Sequence, residues 1–389
     1  MSWNAGSKTG RRAFLGAVSA GLAAAGLSGL ADASIPASPA PAGAQHGLHE
    51  KDGALFLNGK PFRGIGVNFV DAFLGHLANP DDPTTEQAFK ALGEHRIPFI
   101  RTPASGWGGA GMKLYQTDRA EYFNRMSRTV ALAEKHHVGL ICSLFFSGWV
   151  KDVSGETSLD AWLDPQSKTH RIMTTYIREM ASRYGSSPAI WGWEWGNELV
   201  LNCDLPNAAS FGIKPQDHYT LDVMRKVYVE FGRQVRRYDP YRVIDTGDTS
   251  ARPSSWHQWK EGSWTKDTPE QFSEVLSGDA PNPIDMVSIH AYGDDFDMRV
   301  PMSAHVARKL NKPLFIGEFG VKGPRTDASE KEFRSQLAAI QQIKAPLAAL
   351  WEFDVKPTPR PEWLVSPTND RFYMIEAIEG INRAWATGA

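Results

Sequence analysis

Residues 189–198 read AIWGWEWGNE, with Trp191, Trp193 and Trp195 alternating with Gly192, Glu194 and Gly196. That period of two predicts a β-strand, yet the run closes on Asn197-Glu198 instead of a turn. Seven further segments read as strands: RGIGVNF (63–69), PFIRTPA (98–104), VGLICSLFF (138–146), VIDTGDT (243–249), IDMVSIHAY (284–292), PLFIGEFGV (313–321) and PLAALWEFD (346–354). Helical patterns lie between them at 84–95, 119–137, 167–184, 215–238, 298–310 and 328–343, with a less regular stretch at 268–277. FYMIEAIEGINRAW (372–385) closes the series. Eight strand–helix repeats predict a single (β/α)8 TIM barrel over residues 48–389 and disfavour an open doubly wound sheet. Ahead of it, ALFLNGKPFRG turns about Asn58-Gly59 and predicts a short N-terminal β-hairpin.

The connections are lopsided. Helix-to-strand joins are short, whereas strand-to-helix loops are long at 147–166, 199–214, 250–267 and 355–371. Loops that follow barrel strands build the functional face of such folds. Those loops carry Trp149, Trp162, Trp256, Trp259, Trp264 and Trp363, and Trp107 follows the second strand. With 13 Trp in the chain, some must serve packing, but so many on one rim predict a groove for sugars or aromatic ligands.

Charge changes the picture by exclusion. The 42 Lys+Arg and 44 Asp+Glu of the 389 residues leave a net charge of −2, which gives no electrostatic case for nucleic acid or an anionic membrane as partner. Residues 1–33 carry Arg11-Arg12, an Ala/Gly/Leu run and an Ala31-Asp32-Ala33 cleavage signature, and resemble a twin-arginine export signal, although Gly10 stands where that signal has Ser or Thr. A Pro/Ala-rich linker follows at 34–47, so a periplasmic or secreted protein is expected, with no membrane partner after export. Cys142 falls inside a strand and Cys203 in a loop beyond the next, so two unpaired thiols are expected. GIGVNF lacks the third glycine of a dinucleotide fingerprint, and no P-loop, G-x-S-x-G or H-E-x-x-H is present. No metal and no cofactor is expected; the oligomeric state stays open, with a monomer favoured.

Two strands end in glutamate, Glu198 in GNE at the fourth and Glu318 in GEFG at the seventh. Solvated strand ends are one reading of them. The other is a retaining glycosidase, whose two carboxyl groups stand roughly 5–5.5 Å apart. The sequence Trp193-Glu194-Trp195-Gly196-Asn197-Glu198 resembles the W-E-x-x-N-E motif of cellulase-like glycoside hydrolase family 5 in clan A, and the match runs over essentially residues 50–389. Ile100-Arg101-Thr102 is similar to that family's second-strand arginine motif, Ser288-Ile289-His290-Ala291-Tyr292 to its His-x-Tyr, and Trp351 to its eighth-strand tryptophan. The resemblance implies Glu198 as acid/base and Glu318 as nucleophile. It further implies Arg101, Asn197, His290, Tyr292 and Trp351 as their supporting and substrate-binding residues.

Asn68, Trp107, Trp149 and Trp256 join them as candidate substrate contacts from their places at strand ends and loops. A neighbouring ionised Glu318 should raise the pKa of Glu198 and suit it to general acid work. Glu194, on the inward side with Gly196, reads as a buried structural partner for Arg101 or another cation. The third strand, LICSLFFSGW, lacks the histidine common in the family's cellulases and its loop resembles that of family 5 mannanases. Hydrolysis of β-linked mannan or glucan, as polysaccharide or oligosaccharide, is therefore expected. An exo-acting β-glycosidase of the same clan and a non-catalytic carbohydrate-binding barrel are the alternatives.

Overall fold

The computed structural model describes residues 46–105, 109–146, 149–156, 159–203, 205 and 218–387, so the export segment expected at 1–33 and all but the last two residues of the linker expected at 34–47 lie outside the described residues. The chain opens with a three-stranded antiparallel sheet, one strand more than the hairpin expected: β1 (Leu48–Lys51), β2 (Ala54–Leu57) and β3 (Lys60–Pro61). Eight parallel strands follow. They are β4 (Gly64–Asn68), β5 (Phe99–Pro103), β6 (Gly139–Ser143), β7 (Ile190–Glu194), β8 (Val243–Asp245), β9 (Val287–His290), β10 (Leu314–Phe319) and β11 (Leu347–Leu350). Their order, β8-β7-β6-β5-β4-β11-β10-β9, wraps a TIM barrel whose single unladdered seam lies between β8 and β9. Asp285 spans that seam: its N–H donates to Ile244 O (2.9 Å) and its Oδ2 accepts from Ile244 N (2.6 Å).

The outer helices start where the sequence offers caps. Asp82, Ser167 and Thr220 each accept a backbone N–H at the start of Pro83–Glu94, Lys168–Tyr184 and Leu221–Arg236. Thr268 and Gln271 form a reciprocal capping box ahead of Pro269–Gly278, the stretch with the least regular pattern. Short helices at Asp71–Ala78, Gly109–Thr117 and Ser255–Glu261 sit in the loops after strands and were too brief to give a periodic signal. Among the described residues no helix is long and apolar enough to cross a membrane.

Two cores result. One fills the layer between barrel and helices, and the other fills the barrel's lower interior, where Leu48 and Leu55 of the N-terminal sheet meet Phe99, Trp191, Phe315 and Leu347. The sheet thus stoppers the barrel at the end away from the long loops. Trp191 reaches that interior because β7 carries one extra residue: Leu140 pairs with Ile190 but Ile141 pairs with Gly192. The bulge resets the alternation, so Trp193 faces outward, its Nε1 donating to Asp239 (2.8 Å), while Glu194 faces inward. Only glycine fits opposite the bulged indole, since a Cβ at Gly139 would stand 2.1 Å from the Trp191 ring. β10 repeats the device: Ile316 pairs with Ile289 and Glu318 with His290, leaving Gly317 extra and Glu318 turned inward.

Truncating the stopper tests this arrangement. Leu55→Ala should lower the unfolding free energy by about 2–5 kcal/mol, read from chemical denaturation, because it opens a cavity in a buried apolar cluster. Catalytic constants measured well below the melting temperature should stay unchanged, as the site lies at the other end of the barrel.

Candidate active site

Glu194, Glu198 and Glu318 stand at the same end of the barrel, and one guanidinium connects two of them. Arg101 on β5 is 1 % exposed and projects into the barrel. Its Nε donates to Glu194 Oε2 (2.7 Å) and its Nη1 to Glu318 Oε1 (3.0 Å) and Asn68 Oδ1 (3.1 Å). Its Nη2 donates to Asn197 Oδ1 (2.9 Å) and Gly196 O (3.3 Å). Burial works against the Arg101 charge, but Glu194 and Glu318 outweigh it and hold the guanidinium above its ordinary pKa. Asn68 is fixed in turn by donating to Gly317 O (2.8 Å).

Glu318 is held on its other side by Tyr292, whose hydroxyl donates to Oε2 (2.7 Å). His290 Nδ1 lies 2.9 Å from Glu198 Oε1 and 3.4 Å from Glu318 Oε2, between the two carboxylates. Burial raises the Glu318 carboxyl above the usual range. His290 counters it, Glu198 adds to it, and Arg101 and the Tyr292 hydrogen bond pull it back without cancelling the rise. The His290 nitrogen and one oxygen of each carboxylate lie within 4.8 Å of one another, a spacing that could surround a cation. The Arg101 charge 3.0 Å from Glu318 opposes a second positive charge there.

Glu198 has a left-handed backbone (φ 49°, ψ 39°), a conformation that costs a non-glycine residue and that persists where its surroundings impose it. Those surroundings are visible. Its N–H donates to Gly247 O (3.0 Å), and the short helix Leu199–Asn202 that follows is tied down through Val200 N–H to Asp248 Oδ1 (2.9 Å). Tyr228 OH donates to the other Asp248 oxygen. Asp248 was not foreseen from the sequence, although an acid just past a buried strand end was the available signal.

The aromatic candidates separate. Trp351 follows β11 half-buried, with the Arg360 guanidinium 5.2 Å from its ring centre and a cis peptide to Glu352. Trp363 packs edge-on against Tyr292 at 5.2 Å, beside Glu318. Trp162 is fully buried against Trp195 and Phe145 and serves the core. Trp256 donates from Nε1 to Glu274 Oε2 (2.8 Å), a partner on the outer helix Pro269–Gly278 and not among the carboxylates at the barrel mouth. Trp107 and the side chain of Trp149 lie outside the described residues. Cys142 and Cys203 are buried thiols, Cys203 Sγ against Leu199 O (3.6 Å) and Cys142 pushed up to about 12 by burial.

Comparison with known proteins bears on this arrangement. The family model for Cellulase (glycosyl hydrolase family 5) matches residues 57–356. The chain belongs to that family. Among its relatives, mannan endo-1,4-beta-mannosidase F of Aspergillus fumigatus is 26% identical over 227 residues, 54% of this chain and 47% of its own length. The Aspergillus clavatus enzyme of the same name is 25% identical over 325 residues, covering 74% of this chain and 67% of the relative. The chain spans about half the length of the curated relatives it matches first. Among solved structures, the endo-1,4-beta-mannanase from Rhizomucor miehei superposes with a TM-score of 0.64 at 17% identity, over 87% of this chain and 99% of that one, and so shares the fold.

Asp248 gives a test that needs no substrate. Burial pushes its pKa up to about 8, so the folded protein keeps a proton that the unfolded chain releases near pH 4. Its contribution to stability is complete below about pH 4 and is lost as pH rises to about 8, at up to about 1.4 kcal/mol per pH unit. Asp248→Asn should flatten that slope by one proton in denaturant titrations across the window.

Proposed function

We propose that the protein is a retaining β-glycoside hydrolase acting on β-1,4-linked mannan, with Glu318 as nucleophile and Glu198 as acid/base. The observation that carries this reading is the unequal treatment of two adjacent carboxyls. Glu318 is 5 % exposed and gripped by Arg101 and Tyr292, which favour its charged form and fix its orientation. Glu198 stands more open and touches His290, which suits a group that must give and take protons. An oxygen separation within 4.8 Å supports direct attack by one carboxylate, since inversion needs roughly 6.5–9.5 Å between carboxyls to admit a water.

In the first step Glu318 attacks the anomeric carbon as Glu198 protonates the departing oxygen. In the second, Glu198 takes a proton from water, which displaces Glu318 and restores the starting configuration. Because Arg101 occupies Asn197 Oδ1, the Asn197 amide hydrogens are turned toward a sugar hydroxyl. Trp351 supplies an apolar face for the sugar ring. The mannan assignment is supported by the names of the relatives and by the third-strand loop. The paired Arg11-Arg12 supports export, since a polymer of this kind is met outside the cell.

Reducing-end assays on mannan, manno-oligosaccharides and β-glucan test the reading, with product lengths separating endo from exo action. Glu198→Gln should lower kcat by about 10²–10⁴-fold, and Glu318→Gln should abolish turnover. NMR of the first product should show the β anomer; an α anomer, or a carbohydrate ligand bound without cleavage, would defeat the proposal. Tyr292→Phe removes a hydrogen bond to the ionised Glu318, so its pKa rises and the acid limb of kcat/KM moves to higher pH. A charged hydrogen bond of about 1.5–3 kcal/mol implies a fall of about ten- to a hundredfold in kcat.

A further inference from the structure

Three buried carboxyls face one guanidinium inside the barrel. Glu194 and Asp245 are fully buried, Glu318 is 5 % exposed, and Arg101 is the cation among them. Glu194 and Asp245 are register partners on β7 and β8, both turned inward. Gly247 closes the space around them, since with φ +70° it accepts no side chain readily and its Cβ would stand 2.6 Å from Glu194 Cδ.

The hydrogen-bond accounting there is incomplete. Glu194 Oε2 takes Arg101 Nε, but Glu194 Oε1 and both oxygens of Asp245 are buried without a partner that meets hydrogen-bond geometry. Buried carboxylate oxygens left in that state are costly, and two adjacent ones repel. One proton removes the repulsion and pairs two of the three oxygens, because a neutral carboxyl is a donor and Glu194 Oε1 is an acceptor in need of one. Asp245 is the holder, since Glu194 already has the charge-assisted bond to Arg101.

We propose that Asp245 is a positioning residue that stays protonated and donates to Glu194 Oε1, leaving Glu194 anionic to fix Arg101. Through Arg101 the effect reaches Glu318 and Asn197. Burial, and next the charge of Glu194 on β7, raises the Asp245 carboxyl well above the usual range. The Thr246 and Gly247 amides that follow it in the chain and Arg101 from β5 pull the other way. Across the seam toward β9 stand Asp285, whose carboxylate accepts from Ile244 N (2.6 Å), and His290, whose carbonyl takes the Thr249 and Ser250 hydroxyls (3.4 Å each). The catalytic consequence rests on the glycosidase reading; the proton itself does not.

Difference infrared spectra of the whole protein at neutral pH test the proton directly. Because Asp248 also keeps a proton at that pH, the spectra are taken as differences in a common Asp248→Asn background, where one neutral carboxylic-acid carbonyl stretch should be lost in Asp245→Asn and persist in Glu198→Gln. Kinetics test the positioning. Asp245→Val, which cannot donate, should lower kcat by up to about 10²-fold with KM little changed, and Asp245→Asn, which can, should recover most of that loss. A carboxylic-acid band left unchanged by Asp245→Asn in that difference, or equal kinetic losses in the two variants, overturns the assignment. A wild type that cleaves no β-mannoside would sink the hydrolase reading instead, and the infrared result would still decide the proton.

Discussion

A single buried guanidinium organises the mouth of this barrel. Arg101 contacts residues from β4, the strand end of β7 and β10, and these hydrogen bonds fix groups far apart in the chain. An arginine is required because the fork of donors is planar and permanently charged; a lysine in its place would reach one carboxylate and abandon the others. An isolated charge at this depth would be prohibitive. Here Glu194 balances it from below and Glu318 from above, so each carboxylate is held by a cation that it in turn helps to keep buried.

This dependence explains why the two glutamates differ. Glu318 is immobilised by Arg101 and Tyr292, whereas Glu198 is positioned through its backbone, by a left-handed turn that Gly247, Val200 and Asp248 hold in place. Immobilising a carboxylate by hydrogen bonds stabilises its charge. Positioning one through the main chain leaves its protonation free to change, with His290 as the adjustable neighbour.

The repeats of strand and helix were legible in the sequence because each βα unit writes both of its periods into the chain, and the barrel follows. The strand-end residues Arg101, Asn197, His290, Tyr292 and the two glutamates could be picked out because they sit where apolar runs stop. Other features were not legible. Trp162 and Trp363 look alike in sequence, yet one is core and the other lies beside Tyr292, since loop paths are set by tertiary packing and leave no local pattern. Asp245 hid inside a strand that reads as ordinary because its partner, Glu194, is 51 residues away in sequence and meets it only through register.

The extra residue in β7 and in β10 has a corollary. Strict alternation along the sequence would turn Glu194 and Glu318 outward; at each bulge the surplus residue, Trp191 or Gly317, is absorbed so that the acid keeps its inward-facing register partner. Loss of either residue would regularise the ladder and still leave Glu194 beside Ser143 and Glu318 beside His290; what β7 would lose is the Trp191 indole in the barrel's lower interior. The acids are thus tied to the neighbouring strands and not to the strict length of their own, and a change at either bulge acts on the packing beneath the site.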